Sequence, residues 1–181
     1  MDKEAIRTRV KARKSLLSSD DRASAADRLF RLLEQTAAFM MSDHILMYHS
    51  LPDEVSTREF LDRWQSRKHF YLPRVNGVNL EILPYDKSRL HLGAFNIEEP
   101  DGTDTADISD VELIIVPGVA YDRRGNRIGR GKGFYDRLLH DTRATTIGVA
   151  YECQMADDIE PDAHDVPVTM VITEERIYRC R

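Results

Sequence analysis

The chain has 181 residues, with 26 Lys and Arg against 31 Asp and Glu for a formal charge of −5, a length that suits one domain, 1–181, whose core needs neither disulfides nor a structural metal. The negative balance excludes a general nucleic-acid binder, which needs broad positive surface to displace counterions. Cys153 and Cys180 lie far apart with no CxxC partner, so neither a disulfide framework nor a zinc knuckle is indicated, and the lack of any apolar run of signal or spanning length predicts a cytoplasmic protein without a membrane partner.

Residues 2–17 place Ile6, Val10 and Leu17 at helical spacing beside a stripe of Lys3, Arg7, Lys11 and Lys14. Such a basic amphipathic helix is either a solvated charged face or a phosphate-binding one. After the break at Ser18, Ser19 and Asp20, the positions Ala26, Leu29, Phe30, Leu33 and Ala37 predict a second helix. His44 to Tyr48 (HILMY) reads as a buried strand leading into the loop HSLPDEVS, a usual place for ligand contacts at the carboxyl end of a strand. Ser56 and Glu59 form a capping-box pattern before a helix whose apolar face carries Phe60, Leu61 and Trp64. HFYLP at 69–73 is the next strand, and Asn76-Gly77 predicts a two-residue hairpin turn that pairs NLEIL antiparallel beside it, making the sheet mixed.

From Asp86 to Asp110 periodicity disappears and Asp accumulates, which predicts a long surface loop or flap. ELIIVP at 112–117 is a buried strand, and 116–139, VPGVAYDRRGNRIGRGKGFYDRLL, follows it into a helix expected over 134–140. Thr145 to Val149 and Val168 to Thr173 complete the strands, joined by an acidic loop. The alternation predicts an α/β domain with a mixed, mostly parallel sheet flanked by helices.

The stretch after the 112–117 strand carries the chemistry. Between Asp122 and Arg137 lie six basic and two acidic residues, a local charge of +4. Gly129, Gly131 and Gly133 give GxGxG, which fails the dinucleotide fingerprint GxGxxG, and Lys132 precedes Gly133 rather than the Ser or Thr of a Walker A loop. What remains is a third kind of phosphate cradle: glycines bare the backbone while Arg127, Arg130 and Lys132 supply charge. Asp136, in the first turn of the following helix, is either a magnesium ligand or a carboxylate favoured by the helix dipole. His69, His91, His140 and His164 show no metal spacing and are assigned no role.

The run at 116–139 closely resembles the signature of the 5-formyltetrahydrofolate cyclo-ligase (methenyltetrahydrofolate synthetase) family, and KEAIR, YHSLPDEVST, KHFYLPRV, NIEEP and HDVPVTMVIT extend the resemblance over most of the chain. The resemblance implies a fold like that of sugar-phosphate isomerases and CoA transferases. It also implies ATP- and magnesium-dependent closure of 5-formyltetrahydrofolate, polyglutamylated or not, to 5,10-methenyltetrahydrofolate, with release of ADP and phosphate through a phosphorylated formyl intermediate. By position it assigns ATP contacts to Lys3, Glu4, Ala5, Ile6 and Arg7, and to Arg127, Ile128, Gly129, Arg130, Gly131, Lys132, Gly133, Phe134 and Tyr135. Folate contacts fall to Arg7, His49, Glu54, Phe134 and Tyr135, magnesium to Asp136 and Asp165, and catalytic roles to Arg130, Lys132 and Tyr135. The family usually has an apolar residue at His49 and often a tyrosine at Phe134; with Phe134 here, a role that needs the phenol passes to Tyr135. The expected enzyme is a monomer. Two other readings stay open: a phosphate- or nucleotide-binding protein without turnover, and an ATP-using relative acting on a different folate-like substrate.

Overall fold

The computed structural model describes residues 2–93 and 97–180. Asn96 of the NIEEP run and Ala94 and Phe95 of the 86–110 loop lie outside the described residues.

Three helices open the chain. α1 (Lys3–Lys14) starts where the Asp2 carboxylate accepts the Ala5 N–H, and it buries Ile6 and Val10. α2 (Ser19–Glu34) begins at a reciprocal capping box between Ser18 and Asp21, so the polar break in the sequence is the start signal of the helix. The second helix was expected to run on to Ala37. It ends at Glu34, and Thr36 instead caps a separate short helix, α3 (Ala37–Met41), by accepting the Phe39 N–H through its hydroxyl.

β1 (His44–Leu46) leads through the 47–57 loop to α4 (Arg58–Trp64). The Ser56–Glu59 capping box does not form. The N-cap is Thr57, whose hydroxyl donates to the Tyr48 carbonyl and accepts the Ser50 N–H, so it ties the loop to β1 rather than capping the helix. β2 (His69–Asn76) and β3 (Asn79–Pro84) make the expected antiparallel hairpin, with the turn one position later than expected. Asn76 pairs with Asn79, leaving Gly77 and Val78 at the corner with Gly77 at φ +65°.

The 86–110 stretch is less irregular than its sequence. It folds a small antiparallel pair, β4 (Leu90–Leu92) with β5 (Glu98–Pro100), between two single 3-10 turns. β6 (Leu113–Val116) follows, then a short hairpin of β7 (Ala120–Tyr121) and β8 (Arg127–Ile128), α5 (Phe134–His140), β9 (Thr145–Val149), β10 (Met170–Ile172) and β11 (Ile177–Arg179). The β7–β8 hairpin and β11 are too short, and too polar at their ends, to show a period-two signal.

The main sheet has the order β11-β10-β9-β6-β1-β2-β3, with five parallel strands in the middle and an antiparallel strand at each edge. The mixed, mostly parallel α/β architecture is thus the expected one. Alternate residues of the central strands face opposite layers: Ile45, Leu113, Ile115 and Ile147 pack with α2 and α4, while Leu46, Ile114, Val116 and Val171 pack with Tyr121 and Leu139 of α5. Chain order runs outward from β1 to β3 on one side and from β6 to β11 on the other. The reversal point therefore lies between β1 and β6, where the loops beyond their carboxyl ends diverge and leave a crevice.

Candidate active site

A cavity of about 520 Å³ occupies that crevice. The loop after β1 contributes His49, Leu51 and Glu54, the loop after β6 contributes Pro117, Gly118 and Val119, and residues 127–136 form one wall. Lys3 and Arg7 reach in from α1, Pro73, Val75 and Leu80 from the β2–β3 hairpin, Ile97, Glu98 and Glu99 from β5 and its approach, and Asp162 and Asp165 from the acidic loop. Lys3, Arg7, His49 and Glu54, and every residue from Arg127 to Asp136, named from sequence thus share one cavity with Asp165. Glu4, Ala5 and Ile6 are outside its lining: Glu4 pairs with Arg7, Ala5 hydrogen-bonds to Asp2, and Ile6 is buried against Val10, Ala120 and Ile128.

The glycine-rich wall is held from behind by a buried carboxylate. Asp122 accepts the N–H groups of Arg124 (2.9 Å), Asn126 (2.9 Å) and Ile159 (3.0 Å) and the Asn126 side-chain amide (3.0 Å), fixing the β7–β8 hairpin to the acidic loop. Gly125 closes the hairpin at φ +84°, where a Cβ would lie 2.2 Å from the Val168 carbonyl oxygen, so only glycine fits. Gln154 holds the other side by donating to the Gly118 and Val119 carbonyls at 2.9 and 3.0 Å. Beyond β8, Gly131 and Gly133 take φ +95° and +71°, Gly133 being the left-handed N-cap of α5. The alternation of glycines thus serves a backbone that turns back before the helix.

Two clusters of charge meet on this wall. In the first, Lys3 Nζ donates to Asp165 at 2.7 Å and to Asp162 at 2.9 Å, while Arg127 lies 3.6 Å from Asp136 and donates to the Pro117 carbonyl at 3.2 Å. The Val166 N–H donates to Asp136 at 3.3 Å, which joins the two acidic positions. Burial alone would pull the Lys3 ammonium down, but its bonds to Asp162 and Asp165 outweigh it and hold the group above its usual value. The Arg127 side chain is 6% exposed, its Nε has no hydrogen-bond partner, and its guanidinium carbon sits 5.6 Å from the centroid of the Tyr135 ring. A buried, unmatched donor in a cavity wall suits an anionic ligand.

In the second cluster, Arg130 Nη2 donates to both Asp53 carboxylate oxygens at 3.1 and 3.3 Å and lies 3.9 Å from Glu54. Glu54 accepts the Leu51 N–H at 2.8 Å, and burial pushes its carboxyl above the usual range. Burial likewise pushes the Tyr135 phenol well up, helped by the Glu54 charge, so it stays protonated. His49 lies with Nδ1 3.4 Å from Glu98 and without a hydrogen bond; burial and then Arg58 lower its pKa, leaving it neutral at neutral pH. Arg137 sits 5.6 Å from the centroid of the Phe134 ring and donates to the Lys132 carbonyl at 2.8 Å.

Glu98, Glu99 and Asp162 line the cavity and Asp53 pairs with Arg130 of its wall, and none of the four is assigned a role from sequence. Glu99 is buried and accepts the Val75 N–H at 2.7 Å, so it locks β5 onto β2. The NIEEP run carried a signal for Glu98 and Glu99; Asp53 and Asp162 are ordinary loop acids until the fold sets them beside Arg130 and Lys3.

Comparison with known proteins converges on one family. The family model described as the 5-formyltetrahydrofolate cyclo-ligase family matches residues 1–174. The 5-formyltetrahydrofolate cyclo-ligase of Escherichia coli K12 is 30% identical over 149 residues, covering 77% of this chain and 82% of that protein. The NMR structure of Aquifex aeolicus 5,10-methenyltetrahydrofolate synthetase superposes with a TM-score of 0.90 at 32% identity, covering 100% of this chain and 94% of the other. A 5,10-methenyltetrahydrofolate synthetase from Mycoplasma pneumoniae shares the fold with a TM-score of 0.76 at 22% identity, over 96% of this chain and 99% of that one. With one family model spanning nearly its whole length, the chain belongs to the 5-formyltetrahydrofolate cyclo-ligase family.

Proposed function

We propose that this chain uses ATP to close 5-formyltetrahydrofolate to 5,10-methenyltetrahydrofolate, releasing ADP and phosphate. The observation that carries the reading is the meeting of three sequence-distant segments, α1, the loop after β1 and the glycine-rich wall, around one cavity at the strand-order reversal.

An amide oxygen leaves poorly, so ring closure requires it to be activated first. The formyl oxygen attacks the γ-phosphorus, and the bond to the bridging oxygen breaks, with ADP taking the electron pair. The ten-position nitrogen then adds to the activated carbon and loses its proton, and the carbon–oxygen bond breaks with phosphate as leaving group. No protein nucleophile takes part, so the protein aligns the reactants and stabilises charge. Lys3, Arg7, Arg127, Arg130 and Lys132 neutralise the phosphates against the bare backbone of Gly129, Gly131 and Gly133. For Arg130 this requires release from Asp53, to which its guanidinium donates. Tyr135, a protonated phenol, donates toward the formyl group, with Phe134 offering a flat apolar face beside it. Glu54 accepts N–H groups of the pterin, and His49, a neutral imidazole, contacts the folate beside it.

Asp136 and Asp165 suit magnesium: they are oxygen donors on one cavity wall, joined through Val166, and magnesium usually takes one or two carboxylates with phosphate oxygens and water completing its shell. Asp136 and Asp165 would hold such an ion, whose positive charge would help neutralise the phosphates. Lys3 and Arg127 pair with these carboxylates, so the same wall sets positive charge beside them for the phosphates.

The test is to mix the protein with 5-formyltetrahydrofolate, ATP and magnesium and follow methenyltetrahydrofolate absorbance. ATP-dependent product supports the reading. ATP binding without product means either a nucleotide binder without turnover or a relative with a different folate-like substrate.

A further inference from the structure

The opposite end of the sheet holds a cluster that the cyclo-ligase reaction does not use. His44 opens β1 and His69 opens β2, and the parallel register pairs them directly. Their rings stack with centroids 4.7 Å apart and 11° between planes. One ligand atom from each of Asp43, His44 and His69 lies within 4.8 Å of the others, and this is the sole such trio of metal-ligating side chains among the described residues. The sequence gives no hint of it, because the two histidines are brought together only by strand pairing.

The surroundings are organised as a support for those ligands. Glu112 accepts the N–H groups of both Asp43 (2.9 Å) and His44 (3.0 Å), and the Asp43 carbonyl accepts the His69 N–H at 2.8 Å. His44 Nδ1 lies 2.8 Å from the Tyr71 hydroxyl. With Nδ1–H donating to Tyr71, Nε2 keeps its lone pair for a cation, the arrangement by which a partner sets the tautomer of a ligating histidine. Lys68, the cation next in sequence to His69, donates to the Phe39 and Ser42 carbonyls and also lines the cleft beside the cluster. A cleft of about 170 Å³ lined by His69, Tyr71 and Tyr85 adjoins the cluster and leaves room for water ligands.

We propose that Asp43, His44 and His69 form a binding site for a divalent transition-metal cation, with two imidazoles and one carboxylate as ligands and water completing the shell. Imidazole nitrogens select zinc, nickel or copper over magnesium, so the site differs in chemistry from the carboxylate pair in the catalytic cavity. Bonds of about 2.0–2.2 Å draw the three donors in from the 4.8 Å within which they stand. His69 and Asp43 are exposed and can swing to do so, whereas His44 is held by Tyr71.

The experiment is a calorimetric titration of the full chain with zinc chloride in excess magnesium, which masks the carboxylate-only sites. The expected result is one zinc per chain, weakened about tenfold or more in His69→Ala, with cobalt giving a visible absorption band that the same variant loses. Asp43→Asn removes an exposed carboxylate and decides the matter in the same titration should His69→Ala fail to fold. Absence of one-equivalent binding, or binding unchanged in the folded variants, overturns the proposal.

Discussion

Arg7 in the first helix and Gly129 in the glycine-rich wall are joined across 122 positions of sequence by a forked contact, the Arg7 Nε and Nη2 donating to one carbonyl oxygen at 3.2 and 3.1 Å. The contact anchors α1 over the cavity and leaves a guanidinium in its lining. Arg7→Ala should raise the KM for ATP by about tenfold or more, the scale of lost hydrogen bonds to a charged group. Arg7→Lys should recover little, because an ammonium lacks the fork. Steady-state kinetics with ATP varied at saturating folate checks both.

Glu54 is buried with its carboxyl pushed above the usual range, and its raised pKa carries a sign for stability. The folded state holds the proton more tightly than the unfolded one, so this group's contribution is full below the ordinary value of 4.5 and is lost as pH rises through the folded value. Glu54→Gln, which keeps an acceptor for the Leu51 N–H, should therefore raise Tm at neutral pH while raising the KM for folate more than that for ATP. Calorimetry and two-substrate kinetics read the two effects, and a change confined to ATP contradicts the assignment to folate.

The Lys3–Asp165 pair sets a second pH dependence. Burial would push the Asp165 carboxyl up, but hydrogen bonds from Lys3 and the Asp162 N–H, with the charge of Lys3, hold it below the usual 3.8. Its stabilisation is present above that value and is lost as pH falls through the folded one; that of Lys3, whose pKa is raised, is present below 10.5 and is lost as pH rises through its own folded value. Lys3→Met should move the Asp165 titration, followed by carboxyl-carbon NMR, to higher pH. Its loss of stability relative to wild type should be largest where both groups are charged and should shrink as pH falls through the Asp165 titration.

Asp122 tests the support rather than the chemistry. Asp122→Asn sets an amide where four donors converge on a buried carboxylate, and should destabilise the fold by about 2–4 kcal/mol. Denaturant unfolding gives the loss. Because the hairpin carries the phosphate-binding wall, ATP affinity should fall with it.

The elements legible in the sequence were those whose signal is local. The 134–140 helix, the 145–149 strand and the β2–β3 hairpin each rest on a run of a few residues, and their positions agree with the structure to within a residue or two. The Ser56–Glu59 pattern failed because Thr57 and Ser50 bind each other across the loop, a tertiary preference that overrides a four-residue motif. Glycines 129, 131 and 133 marked the wall correctly, but nothing in their spacing showed that Asp53 would occupy Arg130 or that Asp162 would share Lys3. Those pairings join positions 77 and 159 apart and arise only once the sheet has set its strand order. The small β4–β5 pair was hidden for a different reason: three-residue strands among acidic residues carry too few positions for alternation to register.

The central claim is that the formyl oxygen takes the γ-phosphoryl group and leaves as phosphate. Substrate labelled with oxygen-18 at the formyl group, turned over with ATP in unlabelled water, tests this directly by mass spectrometry of the inorganic phosphate released. The account predicts one labelled oxygen in each phosphate formed with product. Unlabelled phosphate alongside full conversion to methenyltetrahydrofolate would contradict it, because the formyl oxygen would then have left by another route.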